Sequence, residues 1–224
     1  MPTIAFVSTK GGVGKTTSAL LLGLGLAERG LSVSIVDSDP NLPLKAWSEL
    51  PGRPEGIRLF HAPSFQDLPG ELRHAKQASD WVVVDTEGGA PRMGGMAIAN
   101  ADLVITPLAA SQLDAREARK VARMVAEISR REGRPIPLVC LFARTPPAGR
   151  RSFQEVRAEL EAADLPALQA ALSDKEAFRA LFSKGGSLAG LRRHVSGVAA
   201  ARELVDTFTD EVAALVGARL PRAA

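Results

Sequence analysis

Cysteine is almost missing from this 224-residue sequence, which contains only Cys140. A single cysteine excludes an internal disulfide framework, a cysteine-ligated iron–sulfur cluster and a CxxC redox pair. Because Cys140 lies in the apolar run PLVCLF, we expect it to be buried in a strand rather than reactive. The three histidines, His61, His74 and His194, lack metal-ligand spacing, and we interpret them as structural or surface residues.

A basic leader and a membrane-spanning run are also lacking. The first residues, MPTIAFVST, lead directly into a strand pattern. The longest apolar run, Ala19–Ala27, is much shorter than the roughly 20 residues that cross a bilayer. We therefore expect a cytoplasmic protein without a membrane partner. No repeat or shift in composition marks an internal boundary, so we expect a single domain over residues 1–224.

Short apolar runs alternate with longer amphipathic stretches along the chain. The apolar runs predict strands at Thr3–Ser8, Ser32–Asp37, Ile57–His61, Trp81–Asp85, Leu103–Pro107 and Pro137–Phe142. The amphipathic stretches predict helices at Thr16–Arg29, Ser64–Gln77, Leu113–Glu132, Ser152–Ala163, Lys175–Ser183 and Val198–Val216. Most strand runs are continuously apolar, as in parallel strands that are covered on both faces. The sequence therefore predicts an α/β fold with a doubly wound, mostly parallel sheet flanked by helices.

The stretch Ser8–Leu20 reads STKGGVGKTTSAL and lies between the first strand and the first helix. Its glycines allow backbone N–H groups to converge on phosphate oxygens, and the N-terminus of the helix adds its positive dipole end. Lys15 would reach the β- and γ-phosphates of a nucleoside triphosphate, and the Thr16 hydroxyl would ligate Mg²⁺. A strand, a glycine-rich turn and a helix are the context that a phosphate-binding Walker A loop requires.

The loop departs from the general Walker A pattern, which would place glycine where this chain has Thr9. Its residues KGGVGKTT instead resemble the deviant Walker A motif K-G-G-x-G-K-T-[ST] of ParA/MinD-type P-loop ATPases. IVDSDPN at Ile35–Asn41 is similar to the family's D-x-D-P-Q segment, with asparagine in place of glutamine. WVVVDTEGGAP at Trp81–Pro91 is similar to a Walker B strand ending in D-T-P-P, but Glu87 and Gly88 stand where prolines are common.

The resemblance extends from Thr3 to about Val216, weakens after Arg144, and implies ATP and Mg²⁺ as cofactors. It implies that the phosphates are wrapped by Gly11, Gly12, Val13, Gly14, Lys15, Thr16 and Thr17. It further implies that Asp39 positions the attacking water, Asp37 supports the metal shell and Asp85 holds Mg²⁺ through water. Capping of a loop or strand end is the alternative for each carboxylate, because turn formers are frequent in DSDP. Arg144 would border the adenine, although the asparagine that often precedes it is replaced here by alanine.

The second lysine of the loop, Lys10, has no task in an ordinary Walker A loop. In the family that the chain resembles, this lysine crosses a dimer interface to the phosphates of the partner subunit. The resemblance thus implies catalytic roles for Lys10, Lys15 and Asp39 and an ATP-dependent homodimer. A cation delivered in trans would stabilise charge on the transferring phosphoryl group. The alternative is that Lys10 is a solvated loop residue or contacts its own nucleotide.

Non-specific DNA binding is the usual property of the ParA branch, and two basic clusters are candidates for it. The C-terminal cluster consists of Arg179, Lys184, Arg192 and Arg193. The helix cluster consists of Arg116, Arg119, Lys120 and Arg123. Because phosphate neutralisation requires only basic side chains on one face, the sequence favours the C-terminal cluster only slightly.

The expected function is that of a ParA-type ATPase. Bound to ATP it would associate with the nucleoid, and slow hydrolysis, stimulated by a partner of ParB type or another cargo adaptor, would segregate or position DNA or a protein cluster. One alternative is a conjugal-transfer relative of ParA that recruits a DNA-processing complex, indicated by DPNLPLKAWSELPGRPEG and DTEGGAP. Another is a small-molecule ATP-dependent ligase or kinase on the same fold. The tail DEVAALVGARLPRAA carries too few positive charges for the membrane helix of MinD-type proteins.

Overall fold

The continuous apolar segments form the strands of one parallel sheet. The computed structural model describes residues 1–109, 111–145, 150–191 and 195–221, apart from the side chains of residues 112, 144, 145 and 150–152. Within this part of the chain the strands are β1 (Thr3–Phe6), β2 (Val33–Ser38), β3 (Ile57–His61), β4 (Trp81–Thr86), β5 (Leu103–Leu108), β6 (Leu138–Thr145) and β7 (Ala167–Ser173). They pair in parallel in the order β3-β2-β4-β1-β5-β6-β7. The predicted doubly wound α/β fold is confirmed.

Helices cover both faces of this sheet. In the described residues they are α1 (Lys15–Ala27), α2 (Pro43–Glu49), α3 (Leu68–Ala78), α4 (Pro91–Asn100), α5 (Gln112–Glu132), α6 (Arg150–Glu161), α7 (Glu176–Lys184), α8 (Leu188–Leu191) and α9 (Val198–Leu215). One hydrophobic cluster joins the sheet to α1, α7 and α9, and a second joins its other face to α3, α4 and α5. This double cover explains why β1, β2, β4 and β5 are buried along their whole length.

The strand order brings the loops that follow β1, β2 and β4 to one edge of the sheet. Phe6 at the end of β1 pairs with Asp85 of β4. Asp37 of β2 pairs with the same Asp85. Because open parallel sheets bind ligands beyond the carboxyl ends of their strands, this edge is where a site is expected.

Four elements are not predicted from the sequence: α2, α4, β7 and the four-residue α8. β7 reads ALQAALS. Its sequence does not predict a strand, because it is rich in alanine and alanine has a low strand propensity. β7 ends the strand order, and its burial alternates along the strand. α4 contains Gly94 and Gly95, which lower helix propensity. Gly94 allows close packing, since a Cβ there would lie 3.2 Å from Cγ1 of Val7.

Cys140 lies in β6 and is fully buried, which confirms the strand interpretation. Burial raises the pKa of its thiol to about 12. His61 ends β3, and His74 lies exposed on α3 within 3.7 Å of Glu71. His194 lies outside the described residues.

α2 and α7 meet beside the carboxyl edge of the sheet. The two helices pack against each other, and the turn after α2 meets the end of α7 at Gly185. A Cβ on Gly185 would lie 2.5 Å from Cβ of Leu50 and 2.7 Å from the carbonyl oxygen of Pro51. This residue also has a φ of 77°, which glycine adopts without strain. The segments are therefore in direct contact where no side chain fits between them.

Candidate functional site

The glycine-rich loop forms the turn between β1 and α1. β1 ends at Phe6 and α1 begins at Lys15, as the motif requires. Gly12 and Gly14 have φ angles of 74° and 95°, in the left-handed region that glycine tolerates. Val13 is 6% exposed and anchors the loop to the core. The N-terminus of a 13-residue helix thus points its free N–H groups toward the edge of the sheet.

A buried lysine and a buried carboxylate lie beneath the loop. Lys15 is 6% exposed, and its Nζ donates a hydrogen bond of 3.3 Å to the carbonyl oxygen of Lys10. Burial lowers the pKa of Lys15, against the opposing charges of Asp85, Asp39 and Glu87. Asp85 is 0% exposed, and neither of its carboxylate oxygens has a hydrogen-bond partner among the described residues. Burial raises the pKa of Asp85 to about 7, although the nearby Thr16 hydroxyl opposes this shift.

Asp37 and Asp39 have different environments at the end of β2. The two carboxylate oxygens of Asp37 accept backbone N–H groups, from Asp39 at 3.2 Å and from Leu44 at 2.9 Å. Asp37 therefore organises the turn into α2, and its expected support of a metal shell stays a prediction. Asp39 is half-buried, and its Oδ1 accepts the backbone and side-chain N–H groups of Asn41 at 2.8 and 2.9 Å.

A cavity of about 290 Å³ runs along this edge of the sheet. One end is polar and is formed by the glycine-rich loop with Lys15, Asp39 and Gly88. The other end is largely apolar, and the residues lining it are Ala143, Leu172, Ser173, Asp174, Phe178, Arg179 and Phe182. A helix N-terminus and a lysine at one end, with aromatic side chains at the other, suit the phosphates and the base of a nucleotide.

The mouth of the loop is held by α5. Nζ of Lys10 lies 3.1 Å from Oδ1 of Asp114, which is 3% exposed, whereas the lysine side chain is 45% exposed. Ser111 caps α5, because its Oγ accepts the backbone N–H of Asp114 at 3.3 Å. One turn further along, Glu117 accepts a hydrogen bond from the Thr9 hydroxyl and pairs with Lys120 at 2.7 Å. Lys10 is thus bound within its own chain rather than free in solvent.

The residues that are predicted to contact DNA lie in different environments. Arg179 lines the apolar end of the cavity and pairs with Asp174 at 2.8 Å and Glu176 at 3.1 Å. Lys184 ends α7 and is exposed. Arg192 and Arg193 lie outside the described residues, as does the side chain of Arg144. The proposed DNA contacts therefore stay predictions.

The alternative helix cluster lies on α5 and is partly engaged. Lys120 is paired with Glu117, and Nη2 of Arg119 donates a hydrogen bond of 3.4 Å to the carbonyl oxygen of Glu159. Arg116 and Arg123 are exposed. Within the described part of the chain, Arg116 and Arg123 therefore have no hydrogen bond or ion pair, whereas Arg119 and Lys120 do.

Sequence reasoning assigned no role to Asp114, Glu117 or Glu87. Asp114 and Glu117 contact residues more than 100 positions away, so no local pattern indicates these contacts. Glu87 carried a signal, since it stands where the related motif has proline.

Pre-formed clusters of metal-ligating side chains and membrane-spanning helices are both absent from the described residues. Among the described residues, no group of three or more His, Cys, Asp or Glu side chains is placed to hold a metal ion. Mg²⁺ commonly uses one or two carboxylates together with water and substrate phosphates, so the free oxygens of Asp85 and the Thr16 hydroxyl are suitable donors. No helix in the described ranges has the length and hydropathy needed to cross a bilayer.

Comparisons with known proteins agree with this geometry. The family model described as VirC1 protein matches residues 1–216. The chain is 32% identical over 209 residues to protein ParA of Rhizobium radiobacter, covering 93% of this chain and 94% of that protein. It is 30% identical over 190 residues to protein virC1 of Rhizobium rhizogenes, covering 83% of this chain and 82% of the relative. An ATP complex of a McdA variant from Cyanothece has a TM-score of 0.74 at 18% identity, covering 98% of this chain and 97% of that chain.

Proposed function

The chain belongs to the VirC1 family of ParA-like positioning ATPases, and on that premise we propose that it binds Mg–ATP beside Lys15, dimerises around the nucleotide and hydrolyses ATP slowly. The cycle would segregate or position a cargo on DNA. The relatives named ParA and virC1 support this class of function, and the McdA complex supports ATP as the ligand of the cavity.

The observation that carries the proposal is the unpaired carboxylate of Asp85 next to Lys15. Burial without a hydrogen-bond partner disfavours the charged form of a carboxylate, which is why the pKa of Asp85 is raised, and such a group is retained where a ligand compensates its charge. Asp85 is 0% exposed with both oxygens free among the described residues, and its charge acts on the half of the cavity that holds Lys15. Mg²⁺ and its water ligands would supply the missing partners.

Each residue then has a task around the phosphates. The backbone N–H groups of the loop and the N-terminus of α1 would bind the phosphate oxygens, with Lys15 between them. Thr16 and Asp85 would hold Mg²⁺, which neutralises charge on the phosphates when bound. Asp39, at the polar end of the cavity, would orient the attacking water.

Dimerisation requires a change at Lys10. In this structure Lys10 pairs with Asp114, so a lysine that acts on the nucleotide of a second copy must leave that carboxylate. ATP would thus select a dimer in which Lys10 exchanges Asp114 for phosphate oxygens. Light scattering of an Asp39→Ala variant tests this step: a dimer with ATP and a monomer with ADP are expected. A monomer with both nucleotides contradicts the proposed dimer.

The ATPase assay tests the proposal as a whole. Steady-state phosphate release is measured for the unaltered chain and for Lys15→Gln, with and without duplex DNA. We expect slow hydrolysis by the unaltered chain and loss of it in Lys15→Gln, because the phosphate lysine is removed. The small-molecule ligase or kinase alternative predicts little ATP consumption until a substrate is added, and no response to DNA.

DNA binding is tested by fluorescence anisotropy with ATP or ADP present. Phosphate neutralisation predicts that the affinity falls steeply between low and high salt, and that reversal of two charges in Arg192→Glu/Arg193→Glu weakens binding. Arg73→Glu, at an exposed arginine on α3, is the control, compared with each of the single variants Arg192→Glu and Arg193→Glu so that the change in net charge is equal. Binding that is insensitive to salt, or equal with ATP and ADP, contradicts ATP-controlled DNA binding.

A further inference from the structure

Glu87 is a carboxylate next to Gly88, which lines the phosphate end of the cavity, and the motif comparison assigns it no role. It follows the last residue of β4, where the related D-T-P-P motif has a proline that could offer no charge. Its half-buried side chain has no hydrogen bond or ion pair within the described part of the chain. Its negative charge nevertheless acts on Lys15, whose pKa is affected by burial first and then by Asp85, Asp39 and Glu87.

The strand register places Glu87 next to Asp39. Ser38 of β2 pairs with Thr86 of β4, and this is the last pair between the two strands. Asp39 and Glu87 are the next residue on each chain, so they leave the sheet side by side at its carboxyl edge. Ile35 of β2 and Val83 of β4 face the hydrophobic cluster that contains α1. Asp39 and Glu87 are each four residues further along their strands, so the alternation of side chains, continued past the last pair, places both on the α1 face of the edge.

The backbone on either side of Glu87 is fixed. The Thr86 hydroxyl donates a hydrogen bond of 2.7 Å to the carbonyl oxygen of Phe6, and the Gly89 N–H donates one of 3.3 Å to the carbonyl oxygen of Ser8. A Cβ on Gly88 would lie 2.7 Å from the carbonyl oxygen of Lys10 and 2.8 Å from backbone atoms of Gly11. The backbone at Gly88 is therefore in direct van der Waals contact with the start of the phosphate loop. A side chain between two such anchors is preorganised rather than carried on a loose loop.

We propose that Glu87, together with Asp39, holds the water that attacks the terminal phosphate. This inference rests on the proposed function. In the step, the water oxygen forms a bond to the terminal phosphorus and the bond from that phosphorus to the bridging oxygen breaks. ADP leaves with the electron pair of that bond, and both water protons remain on the released dihydrogen phosphate. Glu87 accepts a hydrogen bond from the water and orients it, which is a positioning role through the reacting water.

Two carboxylates serve this purpose better than one, because Asp39 is partly engaged. One oxygen of Asp39 already accepts two N–H groups from Asn41. The free carboxylate of Glu87 supplies a second acceptor, and two acceptors fix a water with two protons in a single orientation. The same negative charge repels the phosphates, so removing it is expected to leave ATP binding unchanged or to strengthen it.

The test separates turnover from binding in Glu87→Gln and Glu87→Asp. kcat and KM are measured under single-turnover and steady-state conditions with DNA present, and the dissociation constant of a fluorescent ATP analogue is measured by titration. We expect kcat to fall at least about tenfold in Glu87→Gln, with nucleotide affinity equal or higher, because the water loses orientation. Glu87→Asp keeps the charge on a shorter side chain and should retain an intermediate kcat.

Glu203→Gln is the matched control, since it makes the same chemical change at an exposed position of α9 outside the cavity. An unchanged kcat in Glu87→Gln overturns the inference while the proposed function stands. A fall in kcat together with weaker nucleotide binding and a lower melting temperature also overturns it, since that pattern indicates a structural role. Absence of ATP hydrolysis by the unaltered chain overturns the proposed function and this inference with it.

Discussion

Substituting Asp114 by asparagine removes the charge that holds Lys10 on α5 and leaves the shape of the side chain almost unchanged. The asparagine carbonyl can still accept a hydrogen bond from Ser111, and the backbone cap at the start of α5 is untouched. The perturbation is therefore confined largely to the ion pair of 3.1 Å between Lys10 and Asp114. If Lys10 must leave Asp114 to reach the nucleotide of a second copy, Asp114→Asn should strengthen ATP-dependent dimerisation.

The size of the effect follows from the burial of the two partners. Exposed ion pairs contribute about 0.2–1 kcal/mol, and hydrogen bonds to charged groups about 1.5–3 kcal/mol. The Asp114 side chain is 3% exposed but the Lys10 side chain is 45% exposed, so solvent screening reduces the pair to about 1 kcal/mol. That energy corresponds to roughly fivefold in an equilibrium constant, and to about 25-fold when both protomers of a dimer release a lysine.

Sedimentation velocity with saturating ATP measures the dimer dissociation constant in an Asp39→Ala background, where hydrolysis is slowed. The cycle is completed by Lys10→Ala with and without Asp114→Asn, because the gain should vanish when the lysine is absent. A weaker dimer in Asp114→Asn would refute the reasoning, since it would mean that Asp114 orients Lys10 within the dimer. A gain that persists in Lys10→Ala would refute it as well.

Three further outcomes follow from the buried groups of the site and sheet. Burial raises the pKa of Asp85 to about 7, above about 3.9 in an unfolded chain, so its contribution to stability declines as the pH rises through that window. In chelated, nucleotide-free protein, Asp85→Asn should therefore lose less stability than the unaltered chain between pH 5 and pH 7, measured as the urea midpoint; parallel pH profiles would contradict the assignment. Gly88→Ala would place a Cβ within 2.8 Å of the phosphate loop and should weaken binding of a fluorescent ADP analogue roughly tenfold, because overpacking costs about 1–3 kcal/mol. Unchanged affinity would show that the loop adjusts freely. The Cys140 thiol, fully buried with its pKa raised to about 12, should not react with a thiol reagent at pH 8 until the protein unfolds, and rapid modification of the native protein would contradict its burial.

The sheet could be predicted because the sequences of its central strands show a local pattern that is typical of buried strands. Runs such as WVVVD are continuously apolar, and their burial on both faces is the physical reason for that pattern. β7 could not be predicted in the same way, since ALQAALS has no strong strand formers and is held by its neighbours. Glu211 of α9 accepts the backbone N–H groups of Gln169 and Ala170 in this strand, a contact across about forty residues.

The site was predictable to the extent that it is continuous in sequence. The phosphate loop from Gly11 to Thr17 forms one turn and one helix start, so local residue types determine its geometry. The ion pair of Lys10 with Asp114 depends on how α5 lies against the loop, which tertiary packing decides. The role of Glu87 depends on the register of two strands, and a single sequence does not contain that register.

The contact of Gly185 with Leu50 and Pro51 has a consequence for how the site can be altered. α7 carries the aromatic side chains that line one end of the cavity, and α2 directly follows the turn that carries Asp39. Because α2 and α7 are in contact, a movement of one end of the cavity is transmitted to the other. A substitution that reshapes α7 to admit a different nucleotide base would displace α2 and, through it, Asp39. We therefore expect an engineered change of base preference at α7 to alter turnover as well, unless it is combined with a compensating change in α2.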